Sequence, residues 1–233
     1  MQPYYQDDAV TIYHGDCREV LPDVSADRCV VDPVWPNADP RLAGACDPEG
    51  LLRDAMALLN VRTLVVQLGR ASDPRILGVV PASLPFLCVS WLRYVPSSYR
   101  GRVLMEADIA YAFGDAPASA VGRRVIPAMV ISTKGEMLRH HGRSRSRAEY
   151  QATQDRIAHP APRHLKHVRW LVNWFSDMGE TVIDPFAGTG TTLRAAKDLG
   201  RKAIGIEIEE RYCDLAAKRM QQEVLGLRLA KTE

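Results

Sequence analysis

Short apolar runs alternate with amphipathic stretches along most of the chain. Runs rich in branched apolar residues predict strands at 9–16, 27–33, 62–69, 86–95, 103–113, 125–133, 181–188 and 202–209. Apolar residues at helical spacing predict helices at 51–59, 164–178, 191–200 and 210–225. Strands that alternate with helices are typical of an α/β fold built on a sheet.

Composition narrows the class of protein. The 233 residues are 46% hydrophobic and 25% charged, which fits a single globular domain over 1–233 and excludes a disordered chain. Thirty basic residues against 28 acidic ones give a net charge of +2. A polyanionic partner must therefore meet a local basic patch, because the surface as a whole does not attract it.

Targeting features favour a cytoplasmic protein without a membrane partner. The five cysteines form no C-x-x-C pair, which fits a reducing compartment and suggests neither a disulfide framework nor a zinc cluster. The polar N-terminus lacks the pattern of a signal peptide. The most apolar stretch, 79–92, is too short and too broken by proline to span a bilayer.

A glycine-rich turn stands at residues 182–192, VIDPFAGTGTT, between a predicted strand and a predicted helix. Gly188 and Gly190 allow a ligand to approach the backbone, and a helix N-terminus favours an anionic group. Glu207, at the end of the next strand, can bind the two hydroxyls of a ribose. Leu193 replaces the third glycine of a dinucleotide fingerprint, so a carboxylate suits the turn better than a pyrophosphate. A plain glycine turn is the alternative.

The position of this turn in the chain bears on the order of the strands. Only about 50 residues follow it, enough for roughly two strands and two helices. The remaining strands of the sheet must come from the N-terminal part. The sequence therefore predicts a circularly permuted strand order.

A second turn of interest lies in residues 29–37, CVVDPVWPN, where an apolar strand ends at Asp32. Asp32 and the carbonyl of Pro33 offer two acceptors to the N–H groups of an exocyclic amine, whose lone pair would then be localised for attack. Trp35 offers an aromatic face on which a base can stack. Taken alone, a strand-ending Asp-Pro with a core tryptophan explains these residues at least as well.

A basic segment, RHHGRSRSR, occupies residues 139–147 and contains no acidic residue. Its arginines and histidines can contact phosphates and guanine edges; the predicted nucleic-acid-binding residues are Arg139, His140, His141, Arg143, Arg145 and Arg147. A solvated loop is the alternative. The histidines here and at 159, 164 and 167 lack a cysteine or acid cluster, so we expect surface or phosphate-contacting histidines and no metal site.

Taken together, these segments resemble the amino-group DNA methyltransferases of the permuted β class. DPVW is similar to the family's catalytic acid-Pro-Pro-aromatic motif, and DPFAGTGTT to its FxGxGT cofactor motif. YHGDCREVL resembles the segment that opens this class, and HPAPRHLKHVRWLVNWF its helix before the cofactor turn. The resemblance covers about 100 residues at the two ends of the chain.

The resemblance implies a Rossmann-like class I methyltransferase fold, with a mostly parallel seven-stranded sheet and helices on both faces. It implies S-adenosyl-L-methionine as cofactor and double-stranded DNA, with the target base flipped, as partner; a homodimer is left open. The catalytic residues it implies are Asp32, Pro33 and Trp35. The cofactor-binding residues it implies are Asp16, Cys17, Arg163, Asp184, Pro185, Phe186, Ala187, Gly188, Gly190, Thr191, Thr192, Glu207 and Ile208.

Within this family an Asp at the first place of the catalytic motif leans toward adenine N6 over cytosine N4. The family's target-recognition region would correspond to an insert at 114–158, which contains the basic segment. Trp91, Tyr94 and Tyr99 stand where the family can add a second aromatic to the base pocket, with core packing as an equal explanation for Trp91.

Two of the motifs depart from the family pattern. Val34 replaces the second proline of the catalytic motif, and Arg163 and His164 stand where Lys and Pro are expected. Val34 restores a backbone N–H and some freedom beside the catalytic carbonyl. Val34 leaves an inactive relative that binds cofactor and DNA as one alternative. Trp35 also resembles the aromatic of DPPW-type RNA and DNA adenine enzymes, so an RNA adenine methyltransferase is a second alternative. An N4-cytosine DNA methyltransferase is a third, since Asp at the first place of the motif does not decide the base.

Overall fold

A computed structural model describes residues 1–69, 72–100, 103–117, 128–132 and 163–222, and the structural statements below concern these residues. They contain one nine-stranded sheet. The strands are β1 (Tyr5–Gln6), β2 (Val10–His14), β3 (Arg28–Val31), β4 (Thr63–Leu68), β5 (Phe86–Arg100), β6 (Val103–Gly114), β7 (Ala128–Ser132), β8 (Thr181–Asp184) and β9 (Lys202–Glu207). Their order across the sheet is β1-β2-β9-β8-β3-β4-β6-β5-β7.

The sheet is mostly parallel, as the sequence predicts. Neighbouring strands from β2 to β4 in this order are parallel, whereas β6 is antiparallel to both of its neighbours and β1 is antiparallel to β2. The late strands β8 and β9 lie between the early strands β2 and β3. Circular permutation relative to other members of a family stays a prediction.

Helices cover both faces of the sheet. They are α1 (Cys17–Val20), α2 (Pro48–Leu58), α3 (Leu165–Phe175), α4 (Thr191–Asp198) and α5 (Glu210–Gln221), with 3-10 turns at Leu21–Asp23 and Pro74–Val79. α3 to α5 pack on one face and α1 and α2 on the other. Successive strand residues divide between the two cores, so that Val30 faces α3 and Val31 faces α2.

Local signals set the ends of the helices. Asp47 caps α2, and its carboxylate accepts from the Gly50 N–H at 2.9 Å. The helix predicted at 164–178 is shorter in the structure: α3 ends at Phe175, and Ser176 adopts an extended conformation. The Ser176 hydroxyl then donates to the Val172 carbonyl at 2.5 Å, which satisfies one of the free carbonyls at the helix end.

An ion pair fixes the central strands side by side. Arg28, which begins β3, is 2% exposed, and its guanidinium meets both oxygens of Glu180 at 2.9 Å. Glu180 stands directly before β8. A bidentate pair of this kind has a narrow geometry, so it helps to align the start of β3 with the start of β8.

One prediction about the sheet needs correction. Within the described residues the sheet has nine strands and not seven, and β1 and β7 form its two edges. The proposed insert at 114–158 contains β7, which pairs in parallel with β5 and is part of the sheet. Most of the rest of 114–158, including the basic segment 139–147, lies outside the described residues.

Candidate active site

Three acidic residues meet at one edge of the sheet. Asp184 and Glu207 end β8 and β9, and Asp32 follows β3 directly. Because these strands are adjacent and parallel, their carboxyl ends lie together, which is where open α/β sheets bind ligands. A cavity of about 640 Å³ opens at this edge.

The glycine turn forms one wall of the cavity. The Asp184 carboxylate accepts from the Phe186 N–H at 3.1 Å, and Gly188 and Gly190 take φ angles of +51° and +75°. A Cβ atom on Gly190 would lie 2.9 Å from the Cβ of Ala216 in α5. Glycine at 190 therefore satisfies both the left-handed backbone and the close approach of α5.

Glu207 holds the turn through its carboxylate. One oxygen accepts from the Gly188 N–H at 2.7 Å, and the other accepts from the Glu209 N–H at 2.8 Å. Burial raises the pKa of Glu207, while these two N–H groups act in the opposite direction. Glu207, which is predicted to bind a ribose, therefore also connects the glycine turn to the segment after β9.

The end of β2 forms the opposite wall. The Gly15 N–H donates to the Glu207 carbonyl at 3.0 Å, which draws this segment against β9. Asp16 caps α1 and pairs with Arg18 at 2.6 Å, and this pairing lowers the pKa of Asp16. Cys17 follows and is buried.

Most of the predicted cofactor residues share this cavity. Its walls include Asp16, Cys17, Arg163, Pro185, Phe186, Gly188, Glu207 and Ile208. A smaller adjoining cavity of about 50 Å³ is lined by the predicted residues Asp184, Ala187, Thr191 and Thr192, whereas Gly190 lines neither cavity. The sequence analysis missed several lining residues that carry no motif: Arg18, Asn37, Ala38, Asp39, Pro40, Leu42, Ala43, Gly44, Leu51, Glu209 and Tyr212.

Asp32 lies against a cation from a distant part of the chain. Its Oδ2 accepts from Arg163 Nε at 2.5 Å, and Arg163 Nη1 donates to Asp108 on β6 at 3.0 Å. Burial raises the pKa of Asp32 to about 6; Arg163 opposes this shift and the charge of Asp108 adds to it. The carboxylate is consequently mostly ionised at neutral pH, close to the range in which it takes up a proton.

Trp35 lies beside this ion pair. The guanidinium carbon of Arg163 is 3.8 Å from the centroid of the indole ring, which is a cation–π contact. The ring also fits against Gly69 at the end of β4, where a Cβ atom would lie 2.0 Å from Cζ3 of the ring. The structure thus brings Asp32, Pro33 and Trp35 together on the wall of the larger cavity.

Asp184 is a further carboxyl group with a raised pKa. Its pKa is raised to about 7, mainly by burial and further by the charges of Asp32 and Glu207, and a hydrogen bond from Thr192 opposes the shift. Among the described residues no group of three or more histidine, cysteine or acidic side chains could hold a metal ion. The acidic edge is electrostatically suited to a ligand that carries positive charge.

Some predicted residues lie elsewhere. Trp91 is 48% exposed on β5, which excludes core packing, one of the two explanations given for it; alternation along the strand buries its neighbour Leu92 instead. His167 is buried in α3 and not at the surface, and burial lowers its pKa to about 4. Its Nε2 lies 3.3 Å from the Arg93 carbonyl. The six predicted nucleic-acid-binding residues and the side chains of Tyr94 and Tyr99 lie outside the described part of the chain.

The strand order, the glycine turn and the acids at the sheet edge define the class: a Rossmann-like fold of the class I methyltransferase type. Solved structures share this fold. A complex of M1.HpyAVI with SAM matches with a TM-score of 0.65 and 18% identity, over 91% of this chain and 99% of that one. PvuII DNA methyltransferase, described as cytosine-N4-specific, matches with a TM-score of 0.66 and 17% identity, over 95% of this chain and 90% of that one.

The chain belongs to the DNA methylase family, whose N6/N4 methyltransferase model matches residues 99–218, just over half of its length. The orphan methyltransferase M.BamHII of Bacillus amyloliquefaciens is 32% identical over 45% of this chain. That match spans 45% of the relative, so the chain covers less than half of its length. The predicted family is confirmed.

None of the helices in the described ranges combines the length and the apolar character that are needed to cross a bilayer.

Proposed function

We propose that the protein transfers a methyl group from S-adenosyl-L-methionine to the exocyclic amine of a base in double-stranded DNA, with adenine N6 ahead of cytosine N4. One observation carries this proposal. The Asp32–Trp35 segment and the glycine turn, more than 140 residues apart in sequence, line the same cavity at the carboxyl edge of adjacent strands. An acceptor site and a donor site must adjoin in this way for direct transfer.

The larger cavity suits the cofactor. Its volume of about 640 Å³ falls within the usual range for small-molecule sites, about 300–1,000 Å³. Glu207 would hold the ribose, Asp16 and Ile208 would lie beside the adenine, and the residues from Pro185 to Gly188 would hold the methionine part. When bound, S-adenosyl-L-methionine supplies an electrophilic methyl on a positively charged sulfur, and the acidic lining matches that charge.

The acceptor residues have distinct tasks. Ionised Asp32 and the carbonyl of Pro33 accept hydrogen bonds from the amine and direct its lone pair toward the methyl. Trp35 stacks on the flipped base, a contact worth about 1–3 kcal/mol for a base on an aromatic side chain. Enclosing the base in this pocket requires its extrusion from the duplex.

Contact with DNA is assigned to the basic segment 139–147 within the region 114–158 of a single domain. Its four arginines are suited to phosphates, whose neutralisation releases counterions. Replacing Arg139, Arg143, Arg145 and Arg147 by glutamine should lessen the slope of log affinity against log salt by about 0.9 for each phosphate that the variant no longer neutralises. An unchanged slope would remove this segment from the DNA interface.

Methyl transfer from labelled cofactor to duplex DNA and to single-stranded RNA, followed by nucleoside analysis, tests the proposal. We expect N6-methyladenine in DNA; N4-methylcytosine or methylated RNA would move the assignment to one of the alternatives. Asp32→Ala should abolish transfer and retain cofactor binding, whereas Asp54→Ala, at an exposed site on α2, should retain both. Cofactor binding without transfer in the unaltered protein, with activity gained by Val34→Pro, would identify an inactive relative.

A further inference from the structure

Three polar side chains lie on the α3 side of three neighbouring strands. Asp32 is level with Gln67, whereas Asp184 is level with Val30. The register pairs Val31 with Val66 and Cys29 with Ile183. Val30, Val65 and Val182 all belong to the core on the α3 side of the sheet. Since side chains of a strand return to the same face every second residue, Asp32, Gln67 and Asp184 follow on that face.

Gln67 is an unusual residue for this position. It is 1% exposed in the middle of the sheet, and neither its amide oxygen nor its amide nitrogen has a hydrogen-bond partner in the described part of the chain. Asp32 Oδ1 and Trp35 Nε1 also lack a partner of normal hydrogen-bond geometry there, although the indole N–H acts on Asp32 and lowers its pKa. A buried polar group without a partner costs about 1–3 kcal/mol, and such groups in folded proteins are nearly always satisfied by protein or ordered water.

The cavity of about 50 Å³ lies among these three side chains. Asp32, Gln67 and Asp184 line it together with Gly188 and the hydroxyl-bearing Thr191 and Thr192. A water molecule needs about 10–15 Å³ of such space and two to four polar partners. The cavity therefore has room for about three waters and for nothing as large as a base. Asp32 and Gly188 also line the larger cavity, so the two spaces adjoin.

We propose that this cavity holds ordered water that joins Gln67 to Asp32 and Asp184 and carries away the proton released by methyl transfer. The inference rests on the proposed function. During transfer the amine nitrogen forms the new N–C bond with its lone pair, and the sulfur keeps the electron pair of the broken S–C bond. The nitrogen then loses one proton, which passes to Asp32 Oδ1 and through water to the Asp184 carboxylate, from which it reaches solvent. Gln67 is a positioning residue, since it holds the water and touches no reacting atom.

Other charged groups act on the two carboxylates of this path. Arg163 and Asp108 act on Asp32, and Glu207 acts on Asp184. His167 in α3 and its neighbour His164 lie near Arg163. Replacement of Gln67 leaves all of them in place. A change in the pH profile would therefore report on the water and the amide alone.

The test is Gln67→Leu, which removes both polar atoms at similar volume. We expect the single-turnover rate of transfer to fall about tenfold, with the affinities for cofactor and DNA within twofold of the original. The acid limb of the pH–rate profile should move to higher pH, because a carboxylate that loses hydrogen bonds is harder to ionise. Ser90→Ala, at a buried residue of β5 that does not line the cavity, should change neither quantity.

A high-resolution crystal structure of the unaltered protein gives a second readout that does not depend on activity. We expect ordered water within hydrogen-bond distance of Gln67 and Asp32, and its loss in Gln67→Leu. A dry cavity, or a Gln67→Leu enzyme with the original rate and acid limb, would overturn the inference. Absence of transfer in the unaltered protein would instead refute the proposed function, while the density would still decide the water site.

Discussion

Arg163 covers the indole ring of Trp35, with its guanidinium carbon 3.8 Å from the ring centroid. The same guanidinium donates to Asp32 and to Asp108. A planar group with N–H donors thus occupies the place where the proposed function puts a base with an exocyclic amine. A base that stacks on Trp35 has to displace Arg163 from the ring, although the ion pair with Asp32 can persist.

Arg163 should also determine where the acid limb of the pH–rate profile lies. Burial raises the pKa of Asp32 to about 6, and the charge of Arg163 prevents a larger rise. Arg163→Gln removes the cation, so the pKa of Asp32 should rise further and the rate at pH 7 should fall as more of the carboxyl is protonated. Single-turnover rates between pH 5 and 9 measure this shift. Arg163→Lys keeps the charge and should shift the limb less; equal shifts in the two variants would contradict the electrostatic explanation.

Gly69 should be required for the position of the Trp35 ring against β4. Gly69→Ala places a Cβ 2.0 Å from ring carbon Cζ3, so the ring must move away from β4. We expect a loss of transfer activity of about tenfold or more, since overpacking of this kind costs about 1–3 kcal/mol. Gly78→Ala is the matched control, because nothing lies within 4 Å of a Cβ there. Equal activities of the two variants would show that the ring position is not critical.

Gly190 should contribute to stability through both its backbone and its contact with α5. Gly190→Ala adds a Cβ at φ +75° that lies 2.9 Å from the Cβ of Ala216. Gly179 has a similar φ of +83° and open space around it. Gly190→Ala should therefore lower the free energy of unfolding by about 1–3 kcal/mol more than Gly179→Ala does. Urea unfolding of the two variants isolates the steric part; equal losses would leave only backbone strain.

Asp184 should make the protein less stable as pH rises. Its pKa is about 7 in the folded state and 3.8 when unperturbed. A group with a raised pKa contributes stability below its unfolded pKa, and this contribution is lost as pH rises through the folded value. The free energy of unfolding of Asp184→Asn, relative to that of the unaltered protein, should thus be about 2–4 kcal/mol higher at pH 8 than at pH 4. Unfolding of the unaltered protein and of Asp184→Asn at both pH values measures the difference, and equal pH dependence of the two proteins would contradict the raised pKa of Asp184.

Sequence alone predicts the parts of the site that stand at the ends of strands. Asp32, Asp184 and Glu207 each close an apolar run, and the carboxyl ends of adjacent parallel strands converge at one edge. The alternation of strands and helices was predictable from their distinct periodicities, whereas the mostly parallel sheet with helices on both faces was implied by the family resemblance.

Other parts of the site depend on register and on contacts between distant segments. Gln67 stands inside an ordinary apolar strand, and only its pairing next to β3 places it beside Asp32. Arg163 is 131 residues from Asp32, so no local pattern connects them. The family pattern predicted Arg163 as a cofactor residue; it lines the larger cavity, and its hydrogen bonds go to Asp32 and Asp108.

The placement of β8 and β9 between β2 and β3 has a consequence for biosynthesis. While the ribosome is still making the segment before residue 181, β2 and β3 have been produced, but the two strands that must separate them do not yet exist. The centre of the sheet can close only after residue 207 has emerged, so its parallel pairs join segments that are distant in sequence and form slowly. Until then the backbone edge of β3 that later pairs with β8 has no partner, and an unpaired strand edge of this kind promotes aggregation with other chains.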